Sequence, residues 1–493
     1  MSDISNFSDE EDSRQDDCAL VDALSEINFN EHNIDSIRQN KLEESQEQKH
    51  EIHSDPASSS SLNFVDVDEY DYLHDSEWIN QKCHVFILST AGKPIYNLHG
   101  DEEKLNTLFG LLQALVSVVQ TDDDCIRSIT AKNTKFVFLV KSPLILVGVN
   151  KSNRSEQQIY NQLMDVYNQI IFIVTLSHMK SVYEKRNNYD LRKLVAGSER
   201  WVDHLLRNEK RTRICNSSFV SLTHSVRILP MESTIRDSIT STIQSNCNKI
   251  KNLVFAVLLA NNKLITLVRM KNYYMHTDDL RLIFNVIDCS ESFKSAENWL
   301  PICLPKFDSN GALYAHISYI SDDCEACLLL MTVDQESFPI LSNAKKNITE
   351  KLRRGNYIEA INTGMKDKGI KLKSDIGVSE IRHFFYKNKK NTQLLCSEIT
   401  APYIDNLDQF EKLEAMYYDL HNRIHRTSRP LKLIYEMHQH EIQLAWVTAN
   451  YELYATFEPL VDKKSVIIAQ VNKLLKWIRK EEDKLFMTGT HIF

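Results

Sequence analysis

Glycine and proline are scarce in this 493-residue chain, at 11 and 10 residues, and the scarcity removes several classes of function. A phosphate-binding loop needs glycines where a strand turns into a helix, so that backbone N–H groups can approach the phosphates. No such cluster occurs, and nucleotide hydrolysis and dinucleotide-dependent redox chemistry lose their cradle. Long apolar runs are lacking too. The longest clean run near the middle, IIFIVTL at 170–176, is about a third of the roughly 20 residues needed to span a bilayer. The opening residues MSDISNFSDEEDSRQDD hold neither the basic nor the apolar segment of a signal or transit peptide, so the expected setting is the cytosolic side. Ten cysteines scattered over such a chain read as reduced thiols and not as a disulfide framework.

What is present is unevenly charged. Residues 1–80 hold 22 Asp and Glu against 4 Lys and Arg, leaving 45 acids and 54 bases in the remainder. The first part therefore carries a net charge near −18 and the rest near +9. Residues 1–78 are acidic, Ser-rich and without apolar periodicity, and are expected to be a disordered tail that suits acidophilic kinases.

Beyond the tail one order of elements recurs. A hairpin turning at TAGKP (Cys83 to Leu98), a helix from Asp101 to Gln120, the strands CIRSIT, KFVFLV and LILVGV, and a helix from Glu156 to Met179 make the first pass. The second runs from NLVFAVLLANNKLITLVR, turning at Asn261-Asn262, through a helix near Asp278 to Ile287 and three strands into a helix from Phe338 to Arg354. The third runs from EIRHFFYKNKKNTQLLCSEI through a helix at Ile404 to His425 and three strands into a helix from Lys464 to Glu481. Such a pattern predicts three α/β domains, over 79–215, 216–360 and 361–493, each a five-stranded, mostly antiparallel sheet flanked by helices.

Candidate chemistry is thin. The lone C-x-x-C of Cys324 and Cys327, with Cys303 and His316 nearby, would need a complete tetrahedral set to hold zinc. It sits at the start of an apolar strand, where cysteine acts as a small hydrophobe. His421 and His425 are four apart at a helix end and His438 and His440 two apart at a turn, without the Glu of an H-E-x-x-H arrangement and with no third ligand in sight, so no metal site is expected. No acid/base or nucleophilic set assembles, and no cofactor is implied. Basic residues cluster at 184–214, at 345–355 (Lys345, Lys346, Arg353, Arg354) and at 387–391 (Lys387, Lys389, Lys390). Without interleaved aromatics to stack bases they favour an anionic membrane surface over nucleic acid.

The first helix is the most informative stretch. Leu105, Leu108, Phe109, Leu112, Leu115, Val116 and Val119 form a stripe for the sheet. Leu111, Ala114 and Val118 form a second apolar row, which another domain or a partner must cover. Asp101 is placed to cap the helix, with Glu102 and Glu103 complementing its dipole.

The strings HVFILSTAGKPIYNLHGDEEKL, LFGLLQALVSVVQ, DCIRSITAKNTKFVFLVKSPLILVGV and YDLRKLVAGSERWVDHLL closely resemble the SAND or Mon-one family of vacuolar fusion proteins, and the resemblance extends from about residue 80 to the end of the sequence. It implies three longin domains. It further implies one subunit of a heterodimeric guanine nucleotide exchange factor, paired with a Ccz-one subunit, acting on the late-endosomal and vacuolar Rab GTPase (Rab seven) in endosome maturation, fusion and autophagy. The first longin domains of both subunits would form the GTPase platform, and a third, regulatory subunit is left open. Catalysis would then be differential binding of the nucleotide-free GTPase, without covalent chemistry. Contacts are expected at Lys93, Pro94, Tyr96, His99, Gly100, Leu111, Gln113, Ala114 and Val118. The acidic tail is expected to screen the basic surface from phosphoinositide-containing endosomal membranes. The alternative is a longin scaffold or trafficking adaptor that leaves nucleotide release untouched.

Overall fold

The computed structural model describes residues 76–493, apart from 102, 153, 187–188, 212–216, 367–368, 427, 460–463 and 490. The expectations for the acidic tail, and part of those for the basic run at 184–214, lie outside the described residues.

The first sheet forms from β1 (Cys83–Ser89), β2 (Pro94–Asn97), β3 (Ser128–Ala131), β4 (Thr134–Lys141) and β5 (Leu144–Asn150), ordered β2-β1-β5-β4-β3 with every neighbour antiparallel. Strand alternation decides what each face meets. Phe86, Leu88, Phe138, Ile145 and Val147 turn to one side and pack on Phe109, Leu112 and Val116 of α1 (Asn106–Thr121). Val85, Ile87, Leu139, Leu144 and Leu146 turn to the other and pack on Ile159, Leu163, Val166 and Ile170 of α2 (Glu156–Val174). A capping box of Ser155 and Gln158 starts α2.

The single helix expected to Met179 breaks at Thr175, whose φ of 61° ends α2. The Thr175 hydroxyl then accepts from the His178 N–H (3.3 Å) to start α3 (Leu176–Lys185). α1 also departs from expectation. A 3-10 turn at Glu103–Leu105 precedes it, Leu105 occupies the cap position without a side-chain bond, and Asp101 is not the cap. Leu105 at the end of that turn is buried in the core. The expected strand CIRSIT is ordered as β-structure only from Ser128.

After α4 (Glu199–Arg211) come α5 (Ser217–Thr223), β6 (Val226–Arg227) and α6 (Ser233–Cys247), none evident in the sequence pattern. The second unit has β7 (Leu253–Ala260), β8 (Lys263–Arg269), α7 (Thr277–Cys289), β9 (Asn298–Leu304), β10 (Asp308–Ser321), β11 (Cys324–Thr332) and α8 (Phe338–Arg354), followed by α9 (Tyr357–Met365). Asn261 and Asn262 both take positive φ in the β7–β8 turn, as a two-residue hairpin requires. The third has β12 (Ile381–Asn388), β13 (Gln393–Cys396), α10 (Leu407–Ile424), β14 (Leu433–Met437), β15 (Ile442–Val447), β16 (Tyr451–Phe457) and α11 (Lys464–Lys480). Their core orders, β8-β7-β11-β10-β9 and β13-β12-β16-β15-β14, repeat that of the first sheet.

Two short strands lace the units together. β6, between the first and second units, runs parallel to β13 at the edge of the third sheet. β17 (His491–Ile492), after the third unit, runs parallel to β8 at the edge of the second. The second and third sheets therefore have six strands.

A candidate partner-binding helix

The helix that follows each hairpin, α1, α7 or α10, sits at an equivalent place in its unit, so the surroundings of the three can be compared. Along α7, Leu280, Leu282, Ile283, Phe284, Val286 and Ile287 are buried, because Phe172 of α2 and Trp201 of α4 join their core from the first unit. Along α10, Phe410, Leu413, Met416, Tyr417, Tyr418 and Leu420 are buried in a core shared with Phe219 and Leu222 of α5. α1 buries only Phe109, Leu112 and Val116.

The outer side of α1 faces water among the described residues. Leu111 is 58 % exposed, Val118 66 % and Leu115 36 %, and Ala114 between them is exposed as well. Leu115, expected to turn to the sheet, belongs to this outer row, because the buried positions follow a narrow 105, 109, 112, 116 spacing that leaves it on the flank. Positions 111, 114, 115 and 118 are neighbours on one helix face, so the four side chains form one contiguous apolar strip.

The hairpin tip adjoins this helix. At Gly92, with φ of 79°, an added Cβ would stand 3.3 Å from Gln113 Cγ, so backbone and helix meet closely there. Gln113 is half-buried and donates from Nε2 to Ser117 Oγ (2.9 Å). Lys93 and Pro94, both half-buried, follow the tip directly. The hairpin tip and Gln113 of α1 are thus brought together.

Tyr96, His99 and Gly100 follow on β2 and the turn after it. Tyr96 is buried in the core on the α2 side, and its hydroxyl donates to Asp203 Oδ1 of α4 (2.5 Å). Burial, then that bond and the Asp203 charge, drive its pKa far above the ordinary tyrosine value. His99 is half-buried with its ring edge-on to His84 (5.7 Å), and its carbonyl accepts from Trp78 Nε1 (3.0 Å). Gly100 has φ of 98°, and a Cβ there would meet Trp78 Nε1 at 2.9 Å, so a glycine is needed for the fold of that turn. Tyr96 thus lies on the α2 side of the sheet, whereas His99 and Gly100 meet Trp78, which packs on the α1 core.

The basic candidates divide in the same way. Lys346, Arg353 and Arg354 on α8 and Lys389 and Lys390 at the β12–β13 turn are exposed. Arg354 is engaged with Glu350 on its own helix, and Lys389 Nζ donates to the Thr448 carbonyl (3.0 Å). Lys345 and Lys387 turn inward, Lys345 toward Glu297 (3.5 Å) and Lys387 toward Glu452 (3.9 Å). Both are half-buried.

The C-x-x-C pair does not converge. Cys324 packs in the core on the α8 side of the sheet and Cys327 in the core on the α7 side, since three residues along a strand reverse the face. His316 Nε2 lies instead 3.1 Å from Glu297.

Two clusters that the sequence reading missed arise where elements distant in sequence converge. Asp165 of α2, His224 after α5, and Asp278 of α7 surround Arg281. Arg281 Nη2 donates to Asp165 Oδ2 (2.6 Å), and Nη1 to His224 Nδ1 (2.9 Å) and Asp278 Oδ1 (3.3 Å). The guanidinium is the cation of that group. Burial alone would raise the Asp278 carboxyl, but the Arg281 charge, with His224 and His276 beside it, outweighs burial and holds the carboxyl well below the carboxylate range. In the third unit a Glu452 oxygen on β16 lies within 4.8 Å of a ring nitrogen of both His421 and His425.

Comparison with known proteins agrees with this threefold architecture. Residues 83–205, 251–350 and 380–482 match the families described as the first, second and third longin domains of FUZ, MON1 and HPS1. The chain is 40 % identical over 449 residues to vacuolar fusion protein MON1 homolog A of Gallus gallus, covering 90 % of this chain and 80 % of that protein. It is 41 % identical over 410 residues to Protein SAND of Takifugu rubripes (83 % and 77 % covered). It is 34 % identical over 451 residues to vacuolar fusion protein MON1 homolog B of Mus musculus (88 % and 80 % covered). With three consecutive longin units and this extent of likeness, the chain belongs to the MON1/SAND family of vacuolar fusion proteins.

Proposed function

We propose that this chain serves membrane fusion at the vacuole or lysosome as one subunit of a heterodimeric guanine nucleotide exchange factor, with a Ccz-one protein as the other subunit and the late-endosomal Rab GTPase as substrate. The observation that carries the reading is the uncovered strip of α1. Its counterparts α7 and α10 are covered from within the chain, whereas Leu111, Ala114, Leu115 and Val118 are exposed among the described residues. A second longin domain, with an apolar helix of its own, is an occupant of matching chemistry. The Gly92 tip, Lys93 and Pro94 border the same side and would meet the GTPase on the joint platform.

An exchange factor of this kind needs no acid, base or nucleophile. It binds the GTPase more tightly without nucleotide than with it, and the difference in affinity lowers the barrier to GDP release. GTP then enters by mass action. Among the described residues no helix is long and apolar enough to cross a membrane, so recruitment to endosomes would use the exposed bases Lys346, Arg353, Arg354, Lys389 and Lys390 on anionic, phosphoinositide-containing lipid.

Release of a fluorescent GDP analogue from the Rab tests the reading, with this chain alone, the Ccz-one subunit alone, and both. Acceleration by the pair only is expected. Leu111→Asp places a charge in the shared strip and should weaken pairing by ~2 kcal/mol or more, about 30-fold, with exchange falling in step. A stable pair on liposomes that leaves GDP release unchanged overturns the exchange reading in favour of a scaffold.

A further inference from the structure

From the side chains gathered where α10 ends above β16, we infer a zinc-binding site made of His421, His425 and Glu452. His421 and His425 lie four apart near the end of α10 and so share one face of it, with ring centroids 4.4 Å apart. Glu452 stands on the β16 strand beneath and is 3 % exposed. A ring nitrogen of each histidine and one Glu452 oxygen lie within 4.8 Å of one another. In a tetrahedral site with bonds of about 2.0–2.2 Å, donor atoms stand roughly 3.3–3.6 Å apart. The His425 Nε2 to Glu452 Oε2 separation is already 3.1 Å, so His421 is the donor to be drawn in, its ring nitrogen lying within 4.8 Å of the other two.

The donors have the chemistry of the ion. Two imidazoles and one carboxylate are a zinc set, leaving one position for water or a further oxygen. Tyr454 offers one, with its hydroxyl 3.3 Å from His425 Nε2 and 3.4 Å from Glu452 Oε2. Among the described residues no hydrogen-bond partner meets the His421 ring. His425 is 39 % exposed on its side chain and gives the ion a way in.

Lys387 opposes the ion, since its Nζ lies 3.9 Å from Glu452 Oε1. It engages the carboxylate oxygen that His425 does not, so both can bind Glu452 at once, at the expense of repulsion between ammonium and zinc. That repulsion gives the test a variant of opposite sign. Bound zinc would tie the last turn of α10 to the sheet of the third longin domain.

Full-length chain, purified in metal-free buffer, would be titrated with Zn2+ against a chromophoric chelator and, separately, with Co2+ to record the visible bands of tetrahedral coordination. The expected result is a tetrahedral Co2+ spectrum with about one equivalent bound. At least tenfold weaker zinc binding is expected in Glu452→Gln and in His421→Asn, and severalfold tighter binding in Lys387→Met. Circular dichroism identifies any variant that fails to fold, in which case the wild-type cobalt spectrum and Lys387→Met decide. Octahedral cobalt only, or zinc affinity unmoved by folded Glu452→Gln and Lys387→Met, overturns the site and assigns the uptake to other histidines.

Discussion

Arg281 offers the sharpest test of how the longin units hold one another. Its side chain is 10 % exposed, and its charge is met by Asp165 from the first unit and Asp278 on its own helix, themselves 9 % and 17 % exposed on their side chains. His224, in the connection after α5, accepts from the same guanidinium. Arg281→Met keeps the stem and removes the charge, leaving two buried carboxylates without their cation. Removing one member of such a set costs about 3–5 kcal/mol, most of it the penalty of the charge left behind. If the body of roughly 420 residues unfolds cooperatively, at an entropy of about 2.1 cal/mol/K per residue, that loss lowers Tm by about 3–6 °C. Differential scanning calorimetry reads it. Adding Asp165→Leu to Arg281→Met should recover part of the loss, because the charge from the first unit goes with its partner. The Asp278 carboxyl is held below its unfolded pKa, so its contribution is complete above about pH 4 and is withdrawn as pH falls through the depressed value. Arg281→Met should therefore lose less on acidification than wild type does. A Tm within about 1 °C of wild type for Arg281→Met, or no recovery in the double variant, refutes the reasoning.

Other substitutions separate partner binding from folding. Leu111→Asp and Val118→Asp alter side chains already in water and should move stability by no more than about 0.5 kcal/mol, read as unchanged urea midpoints. A large loss would mean that the strip is covered within the chain. Gly148→Ala on β5 sets a Cβ 2.8 Å from Ile159 Cγ2, where overpacking costs about 1–3 kcal/mol; an unchanged midpoint would show that α2 can shift outward. Phe219→Ala empties a fully buried position ringed by His383, Phe385 and Tyr417 and should cost about 3–5 kcal/mol. Because Phe219 lies on α5, proteolysis should then cut within α5, and resistance there would contradict the anchoring role.

The sequence made the repeated order of elements readable because each unit is built from local signals. α8 runs over the expected residues, Phe338–Arg354, because a proline sits in its first turn and Gly355 follows its last. β6 and β17 went unseen because a two-residue strand has no period to detect, and both pair with sheets far away in sequence. Tyr96 was misplaced for a related reason: a four-residue edge strand does not reveal which face meets α4, and its bond to Asp203 spans more than a hundred residues.

The same distinction explains which sites were visible. Leu111, Ala114 and Val118 declare themselves because helical periodicity reports an apolar side whatever covers it, and the apolar row persists in the sequence when the covering surface belongs to another chain. Arg281 and Glu452 declare nothing, because a buried charge is meaningful only with its partners and these come from other elements. His421 and His425 were recognisable as a spaced pair, yet Glu452 becomes their third neighbour only once α10 is laid over β16, and that placement is set by the apolar faces of both. Packing of ordinary core residues thus precedes and creates the polar cluster. It follows that a core substitution under α10, such as Leu420→Ala at a fully buried position, should weaken zinc binding without touching a ligand, whereas the apolar strip of α1, which depends on its own helix alone, should be indifferent to it.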